Sequence, residues 1–286
     1  MCFKVQFLCF GWLLIIGCNG KQSNSNNAQQ IVVESASQSA IDCMSVDLRQ
    51  LKAQHLLPQP STVQVKQDPV FHTSKTYQAI DFKEFIEKFL PIYKHLDIAQ
   101  TQLMFECEDG YNPTMSLQKI LEKKAYIAIA DADAPAGESW INPTKDAHEM
   151  KIAPFYFIYT DVDAKDVTFK WPYNLVKLSL IDASIEQMAL YPHEDASLAK
   201  GYQLFKTNCL TCHSINKIGG KMGPELNYPK SVIEYWRHTD DIKAFVKAPT
   251  KYRNEAKMPA ITHLTANDLD QIIGYLKYMA KHKPKS

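Results

Sequence analysis

The most specific chemistry in the chain lies in one short segment, Cys209-Leu210-Thr211-Cys212-His213. On a helix, residues three and four positions apart share a face, so both thiols and the imidazole can meet one flat ring system. Thiols bonded to porphyrin vinyl groups, with an imidazole on the iron, are the attachment chemistry of c-type haem. The spacing therefore predicts one covalent haem c, with Cys209 and Cys212 forming its thioether bonds and His213 as an axial iron ligand.

Two other uses of a Cys-x-x-Cys pair compete with haem attachment. A structural zinc site needs a second pair of ligands at suitable spacing, and the sequence contains no other Cys-x-x-Cys. A thioredoxin-like redox pair follows a strand in a βαβ unit, whereas a helical pattern precedes Cys209. Haem attachment is therefore the preferred interpretation.

The residues around this motif, from Glu194 to Lys283, resemble a class I cytochrome c. Gly201 and Phe205 occur in a predicted first helix, where that family packs its N-terminal helix against its C-terminal helix. Thr265 predicts the start of a last helix, which places apolar residues at core spacing: Leu269, Ile272, Ile273, Tyr275 and Leu276. The resemblance implies an all-α class I cytochrome c domain over residues 194–286.

Two loop motifs between these helices match loops that bind haem in that family. Gly223-Pro224-Glu225-Leu226 corresponds to the loop whose proline carbonyl accepts a hydrogen bond from the proximal histidine. The resemblance therefore assigns Pro224 to orient His213. Lys257-Met258-Pro259 corresponds to the loop that supplies the other axial ligand, which assigns Met258 to the iron.

Other candidate ligands lie in the same region. His263 is the alternative axial ligand, whereas Met222 follows His213 by only nine residues and is predicted on the proximal side. Ligation by His213 and Met258 leaves no open position on the iron, which favours electron transfer over haem enzymology.

The N-terminal segment has the pattern of a bacterial export signal. A largely apolar stretch from Val5 to Ile16 is too short to span a bilayer but suits a secretory signal peptide. The stretch ends at Gly17-Cys18 and resembles a bacterial lipobox, which implies a signal peptide over residues 1–17 and a lipid on Cys18. Ordinary cleavage near Gly20 is the alternative and would release a soluble protein.

The segment after the predicted lipid anchor is rich in Ser, Asn and Gln. Residues 18–40 have too little apolar area to offset the entropy of ordering, so they are predicted to form a flexible tether. Signal and tether together predict a lipid-anchored protein on the periplasmic side of a bacterial membrane.

Residues 41–190 combine strand-like and helical patterns and are predicted to form an α+β domain. Asp81 and Ser116 are candidate helix N-caps, the second for a helix through Lys124. The strand-like runs are Thr101–Phe105, Ala125–Ala130, Phe155–Thr160 and Leu175–Ile181. A polar, Pro-containing segment from Ala189 to Asp195 predicts the boundary with the haem module.

Part of this domain, from Ser61 to Asp182, resembles sulfite-oxidase-type molybdopterin domains. The likeness rests on Asp109-Gly110-Tyr111 and on a later Lys170-Trp171 pair. Cys107 lies beside the Asp-Gly-Tyr motif rather than in that family's ligand segment, and basic residues for a pterin phosphate are sparse. We therefore expect a docking domain without catalysis of its own. Cys43 and Cys107 are candidates for a disulfide in an oxidising compartment.

The charges are divided unevenly between the two modules. From Glu194 onward, 15 Lys/Arg stand against 9 Asp/Glu, a net of +6, and the remainder holds 17 against 22, a net of −5. The haem module is only moderately basic and lacks an Arg stripe interleaved with aromatic residues, so nucleic acid is disfavoured as a partner. Redox proteins with acidic faces are the expected partners.

These observations predict a membrane-tethered c-type cytochrome that transfers single electrons and is more a carrier than an enzyme. The alternative is the haem subunit or catalytic chain of a molybdenum-dependent, sulfite-type dehydrogenase. A third hypothesis, a sensory module, requires Met258 to dissociate and open the iron.

Overall fold

The computed structural model describes residues 44–145 and 148–283. The predicted signal peptide, Cys18, the predicted tether and Cys43 lie outside the described residues, so the hypotheses about them stay predictions. Within the described ranges, no helix combines the length and the apolar character that crossing a membrane requires.

The N-terminal part contains two four-stranded antiparallel sheets and a two-stranded ribbon. In chain order the strands are β1 (Ser45–Asp47), β2 (Ser61–Val65), β3 (Lys75–Asp81), β4 (Thr101–Cys107), β5 (Thr114–Ser116), β6 (Ala125–Asp131), β7 (Thr144–Lys145), β8 (His148–Glu149), β9 (Tyr156–Tyr159) and β10 (Leu175–Asp182). One sheet has the order β1-β10-β4-β5, the other has the order β2-β3-β6-β9, and β7 pairs with β8.

Helices accompany these sheets, which is consistent with the predicted α+β arrangement. They are α1 (Leu48–Ala53), α2 (Phe82–Phe89), α3 (Leu117–Leu121) and α4 (Ala183–Leu190), with a 3-10 turn at Pro91–His95. The carboxylate of Asp81 accepts a hydrogen bond from the amide of Glu84 at 3.0 Å and caps α2 as predicted.

The helix that Ser116 opens is shorter than predicted. The Ser116 hydroxyl accepts a hydrogen bond from the amide of Lys119 at 3.3 Å, but α3 ends at Leu121. Lys124 lies outside the helix, because its amide donates to the carboxylate of Asp161 at 2.9 Å. The chain then enters β6.

Strand β4 shows how the first core is built. Its residues alternate between buried and half-exposed positions, so that Leu103 and Phe105 face the interior. Phe105 meets Phe157 of β9 edge to face, with ring centroids 4.8 Å apart. Residues of both sheets and of the helices form this first, aromatic and aliphatic core. A separate cluster packs on the second sheet, β2-β3-β6-β9, and includes Tyr77, Trp140 and Tyr156.

The C-terminal part is predominantly helical. After a 3-10 turn at Ala196–Leu198, its helices are α5 (Ala199–Asn208), α6 (Val232–Tyr235), α7 (Thr239–Lys247), α8 (Pro249–Tyr252) and α9 (Ala266–Lys281). The structure also contains a small hairpin of β11 (Ser214–Ile215) and β12 (Ile218–Gly219), which the predicted all-α arrangement does not include. Asn216 and Lys217 turn this hairpin with positive φ angles, and the Glu225 carboxylate accepts both of their amides at 3.0 Å.

Helices α5 and α9 cross closely, as the positions of Gly201 and Phe205 predict. A Cβ at Gly201 would overlap the backbone of Gln271, so glycine lets the two helices approach. The rings of Phe205 and Tyr275 then lie with centroids 5.3 Å apart. This crossing fixes the helix that leads directly into the attachment motif.

Helix α4 joins the two parts. The helical part has its own hydrophobic core, the second core, which includes Phe205 and Tyr275. Leu190, assigned to the N-terminal domain from the sequence, is buried in this second core instead. Its carbonyl accepts a hydrogen bond from the Tyr275 hydroxyl at 2.9 Å. Glu186 of α4 forms an ion pair with Lys206 of α5 at 2.5 Å. The last turn of α4 is therefore packed against the helical module.

Candidate haem-binding site

The Cys-x-x-Cys-His motif follows helix α5 as a hydrogen-bonded turn that begins at Cys209, the C-cap of the helix. The Cys209 amide donates to the Phe205 carbonyl at 2.8 Å, and the His213 amide donates to the Cys209 carbonyl at 2.9 Å. Both bonds have the i to i+4 spacing of an α-helix, which places residues three and four apart on a common side. These bonds bring the motif into one compact turn, which is compatible with attachment of one haem by Cys209, Cys212 and His213.

The environment of the two thiols separates haem attachment from redox chemistry. Cys209 and Cys212 do not form a disulfide. Burial, followed by the neighbouring Cys212, raises the pKa of Cys209 to about 12. Burial also raises the pKa of Cys212. A redox-active Cys-x-x-Cys pair needs a thiol with a lowered pKa, so this environment disfavours the thioredoxin-like alternative.

The imidazole of His213 is held in one orientation. Its Nδ1 lies 2.9 Å from the carbonyl oxygen of Pro224, as the sequence predicts. A carbonyl can only accept, so Nδ1 must carry the proton and donate it. Nε2 is then the unprotonated nitrogen, which is the form that ligates a metal.

The loop that carries Pro224, residues 221–226, is the proximal loop and lies directly against the attachment motif. The Gly223 amide donates to the Cys212 carbonyl at 2.8 Å, and the Leu226 amide donates to the Ser214 carbonyl at 2.9 Å. A Cβ at Gly223 would overlap the imidazole ring of His213. Glycine is therefore required at 223 if the loop is to reach the histidine.

The three candidates for the second axial position occupy different surroundings. Met258 lies between α8 and α9, half-buried and packed against the second core. His263 is exposed, and its Nε2 lies 2.9 Å from the side-chain oxygen of Asn208. Met222 is 39% exposed in the loop before Gly223. These positions favour Met258.

Several apolar residues of this module are only partly buried. A set of them packs against the second core but stays partly exposed: Cys209, Ile218, Leu226, Val232, Ile233, Trp236, Val246, Met258 and Tyr278. They come from the attachment motif, the proximal loop, α6, α7, the Met258 loop and α9. These partly exposed apolar side chains are candidates for contact with a bound haem.

The attachment motif also contacts a segment of the N-terminal part, which the sequence does not predict. The Asn112 amide, in the N-terminal part, donates to the Thr211 carbonyl at 3.0 Å. The pKa of Tyr111 is raised by burial and next by the charge of Cys212. Burial lowers the pKa of Lys170, and the charge of Cys212 opposes this shift. The Asp109-Gly110-Tyr111 segment of the molybdopterin-domain resemblance therefore lies beside the attachment motif.

Cys107 has no features of a metal ligand. It ends β4 in the first core, where burial raises its pKa, followed by the charges of Asp109 and Glu106. It is not disulfide-bonded to any described residue, and Cys43, its predicted partner, lies outside them. In the described ranges, no group of three or more His, Cys, Asp or Glu residues is arranged to hold a metal ion.

Comparison with known proteins agrees with this geometry. The sequence profile of the family described as cytochrome c matches residues 198–280. A cytochrome c from Gibberella zeae is 32% identical over 101 aligned positions, which cover 29% of this chain and 95% of the relative. No solved structure matches the chain. Through its C-terminal domain, the chain belongs to the cytochrome c family, which carries covalently bound haem c.

Proposed function

We propose that the chain is a single-haem electron carrier, held on the periplasmic side of a bacterial membrane by a lipid on Cys18. The observation that carries the electron-transfer role is the His213 imidazole, which directly follows the half-buried Cys212 and whose Nδ1 donates a hydrogen bond to the Pro224 carbonyl. The lipid anchor rests on the sequence around Gly17-Cys18.

The residues of the chain have distinct roles in this proposal. Cys209 and Cys212 would hold haem c through thioether bonds, and His213 and Met258 would bind its iron. The bound haem supplies an iron that alternates between two oxidation states one electron apart. Pro224 keeps the Nδ1 proton in place, and the apolar residues of the second core exclude water.

Exposed lysines of the cytochrome domain support an acidic-faced redox partner. Lys221, Lys251 and Lys257 are exposed and form no ion pair with a described residue. Other lysines of the module are paired, as Lys200 is with Asp268 at 3.0 Å. Unpaired surface charge steers an oppositely charged partner and makes the association rate fall as salt increases.

Metal analysis of the purified full chain tests the proposal. We expect one iron per chain, no molybdenum and a redox titration that fits one electron. Stoichiometric molybdenum would instead establish the sulfite-type dehydrogenase. Carbon monoxide binding to the reduced wild-type protein would show an open iron and support the sensory hypothesis.

A further inference from the structure

A rigid turn of the N-terminal domain meets the haem-binding loops. In this turn, residues 107–112, the Gly110 amide donates to the Cys107 carbonyl at 3.0 Å. The Tyr111 amide donates to the Asp109 carboxylate at 2.9 Å. The Glu108 amide donates to the Asn174 carbonyl at 2.9 Å, which joins the turn to the start of β10.

The outer edge of the turn bonds two segments of the cytochrome domain. The Gly110 carbonyl accepts the amide of Lys221 at 2.8 Å and the amide of Met222 at 3.2 Å. The Asn112 amide donates to the Thr211 carbonyl inside the attachment motif at 3.0 Å. The turn therefore clamps the attachment motif and the proximal loop to the same short piece of backbone.

The contact leaves no room for a side chain at position 110. Gly110 has a φ of +86°, and a Cβ there would lie 2.7 Å from both the carbonyl carbon of Lys221 and the amide nitrogen of Met222. Both are backbone atoms, so the proximal loop would have to move away. Glycine at 110 is thus needed for the turn and also for its contact with the loop.

Lys221 and Met222, whose amides donate to the Gly110 carbonyl, directly precede the residues that position His213. Met222 is followed by Gly223, which lies against the imidazole, and by Pro224, whose carbonyl accepts the Nδ1 proton. A hydrogen bond from Nδ1 makes the histidine a more basic ligand and so favours ferric over ferrous iron.

We propose that the N-terminal domain uses the turn at Gly110 to position the proximal ligand His213, and that it thereby helps to set the reduction potential of the haem. Gly110 and Asn112 are positioning residues that act through residues 221–224. The inference rests on the proposed haem c site. It gives the N-terminal domain a role that needs no cofactor of its own.

A pair of glycine substitutions tests this role. Gly110→Ala should displace the proximal loop, weaken the bond between His213 and Pro224, and raise the reduction potential. We expect a shift of about threefold in the ferric–ferrous equilibrium, or about 28 mV at 59 mV per tenfold change. Gly137→Ala is the matched control, because Gly137 also has a positive φ, +91°, but has no atom within 4 Å of an added Cβ.

Nuclear magnetic resonance gives a second readout. In Gly110→Ala, the His213 Nδ1 proton should exchange with solvent faster than in the wild type and in Gly137→Ala. Covalent haem must be retained in all three proteins. Its absence from the wild type would refute the haem site, whereas equal potentials and equal exchange in haem-loaded Gly110→Ala and Gly137→Ala would refute the positioning role alone.

Amide exchange in the wild type keeps the proposal testable if Gly110→Ala does not fold. The amides of Asn112, Lys221 and Met222 should exchange slowly, because each donates a hydrogen bond across the contact. Exchange of all three at the rate of unbonded surface amides would show that the turn does not hold the proximal loop, and would overturn the proposal.

Discussion

The proton on Nδ1 of His213 is the smallest feature from which the chemistry of the site follows. It is fixed because the Pro224 carbonyl, 2.9 Å away, can only accept. The same bond leaves Nε2 free to bind iron. For the second axial position, the half-buried Met258 is the ligand that the loop sequence and its surroundings favour.

Substitution of Met258 tests the assignment of the second axial ligand. Met258→Ala should abolish the weak near-infrared charge-transfer band of Met-ligated ferric haem while covalent haem remains. The reduced variant should bind carbon monoxide, and its potential should fall as water or another side chain replaces the thioether. Absorption spectra and a redox titration measure these changes.

Met222→Ala is the control for this experiment. Met222 lies in the proximal loop and is 39% exposed, so its removal should leave the band in place. Loss of the band in Met222→Ala but not in Met258→Ala would mean that the family's ligand was matched to the wrong residue. If neither variant lost the band, His263 would become the leading candidate.

At the scale of elements, α9 holds the module together by crossing α5. The start of α9 is a reciprocal cap, in which the Thr265 hydroxyl accepts the Asp268 amide at 3.1 Å and the Asp268 carboxylate accepts the Thr265 amide at 3.1 Å. Lys200 of α5 also pairs with Asp268 at 3.0 Å. The cap therefore supports both the helix and its contact with α5.

Removal of this cap should weaken the fold measurably. Thr265→Ala deletes the hydroxyl and should lower the free energy of unfolding by about 1 kcal/mol. Urea unfolding followed by far-ultraviolet circular dichroism should show a lower midpoint at an unchanged slope. Thr262→Ala is the control, since Thr262 is exposed and precedes the helix. Equal midpoints for the two variants would show that the cap does not stabilise the module.

The sequence predicts elements best where the signal is local. The caps at Asp81, Ser116 and Thr265 each depend on residues a few positions apart, and all three are present. The predicted end of α3 at Lys124 is wrong, because the amide of Lys124 donates to the carboxylate of Asp161, which is distant in the sequence. The hairpin at Asn216 was missed because Glu225, further along the chain, stabilises its turn.

At the scale of the whole molecule, the two parts are joined by more than the chain that links them. Glu186 and Lys206 form an ion pair between α4 and α5, and the turn at Gly110 bonds to the proximal loop. The contacts of Gly110 and Asn112 with the haem-binding loops were not predictable, because their partners are distant in sequence and no motif marks them. The attachment motif was predictable because its residues are neighbours.

The predicted lipid anchor also belongs to the whole molecule. Cys18→Ala should move the protein from the membrane fraction to the periplasmic or medium fraction, because the acylated cysteine is the proposed anchor. Cell fractionation with labelled palmitate measures this, with Cys9→Ala as the control that should keep both label and membrane association. The lipobox interpretation would be refuted if Cys18→Ala stayed in the membrane fraction and the wild type took up no palmitate label.

The most direct test of the whole account is a haem-stained denaturing gel of the protein made in a host that attaches c-type haem. Wild type should keep its haem after denaturation, and so should Cys107→Ala, because Cys107 belongs to the first core. Cys209→Ala/Cys212→Ala should lose the covalent haem completely, because each thiol forms one thioether bond. Full covalent haem in that double variant, or none in the wild type, would contradict the assignment of this chain as a c-type electron carrier.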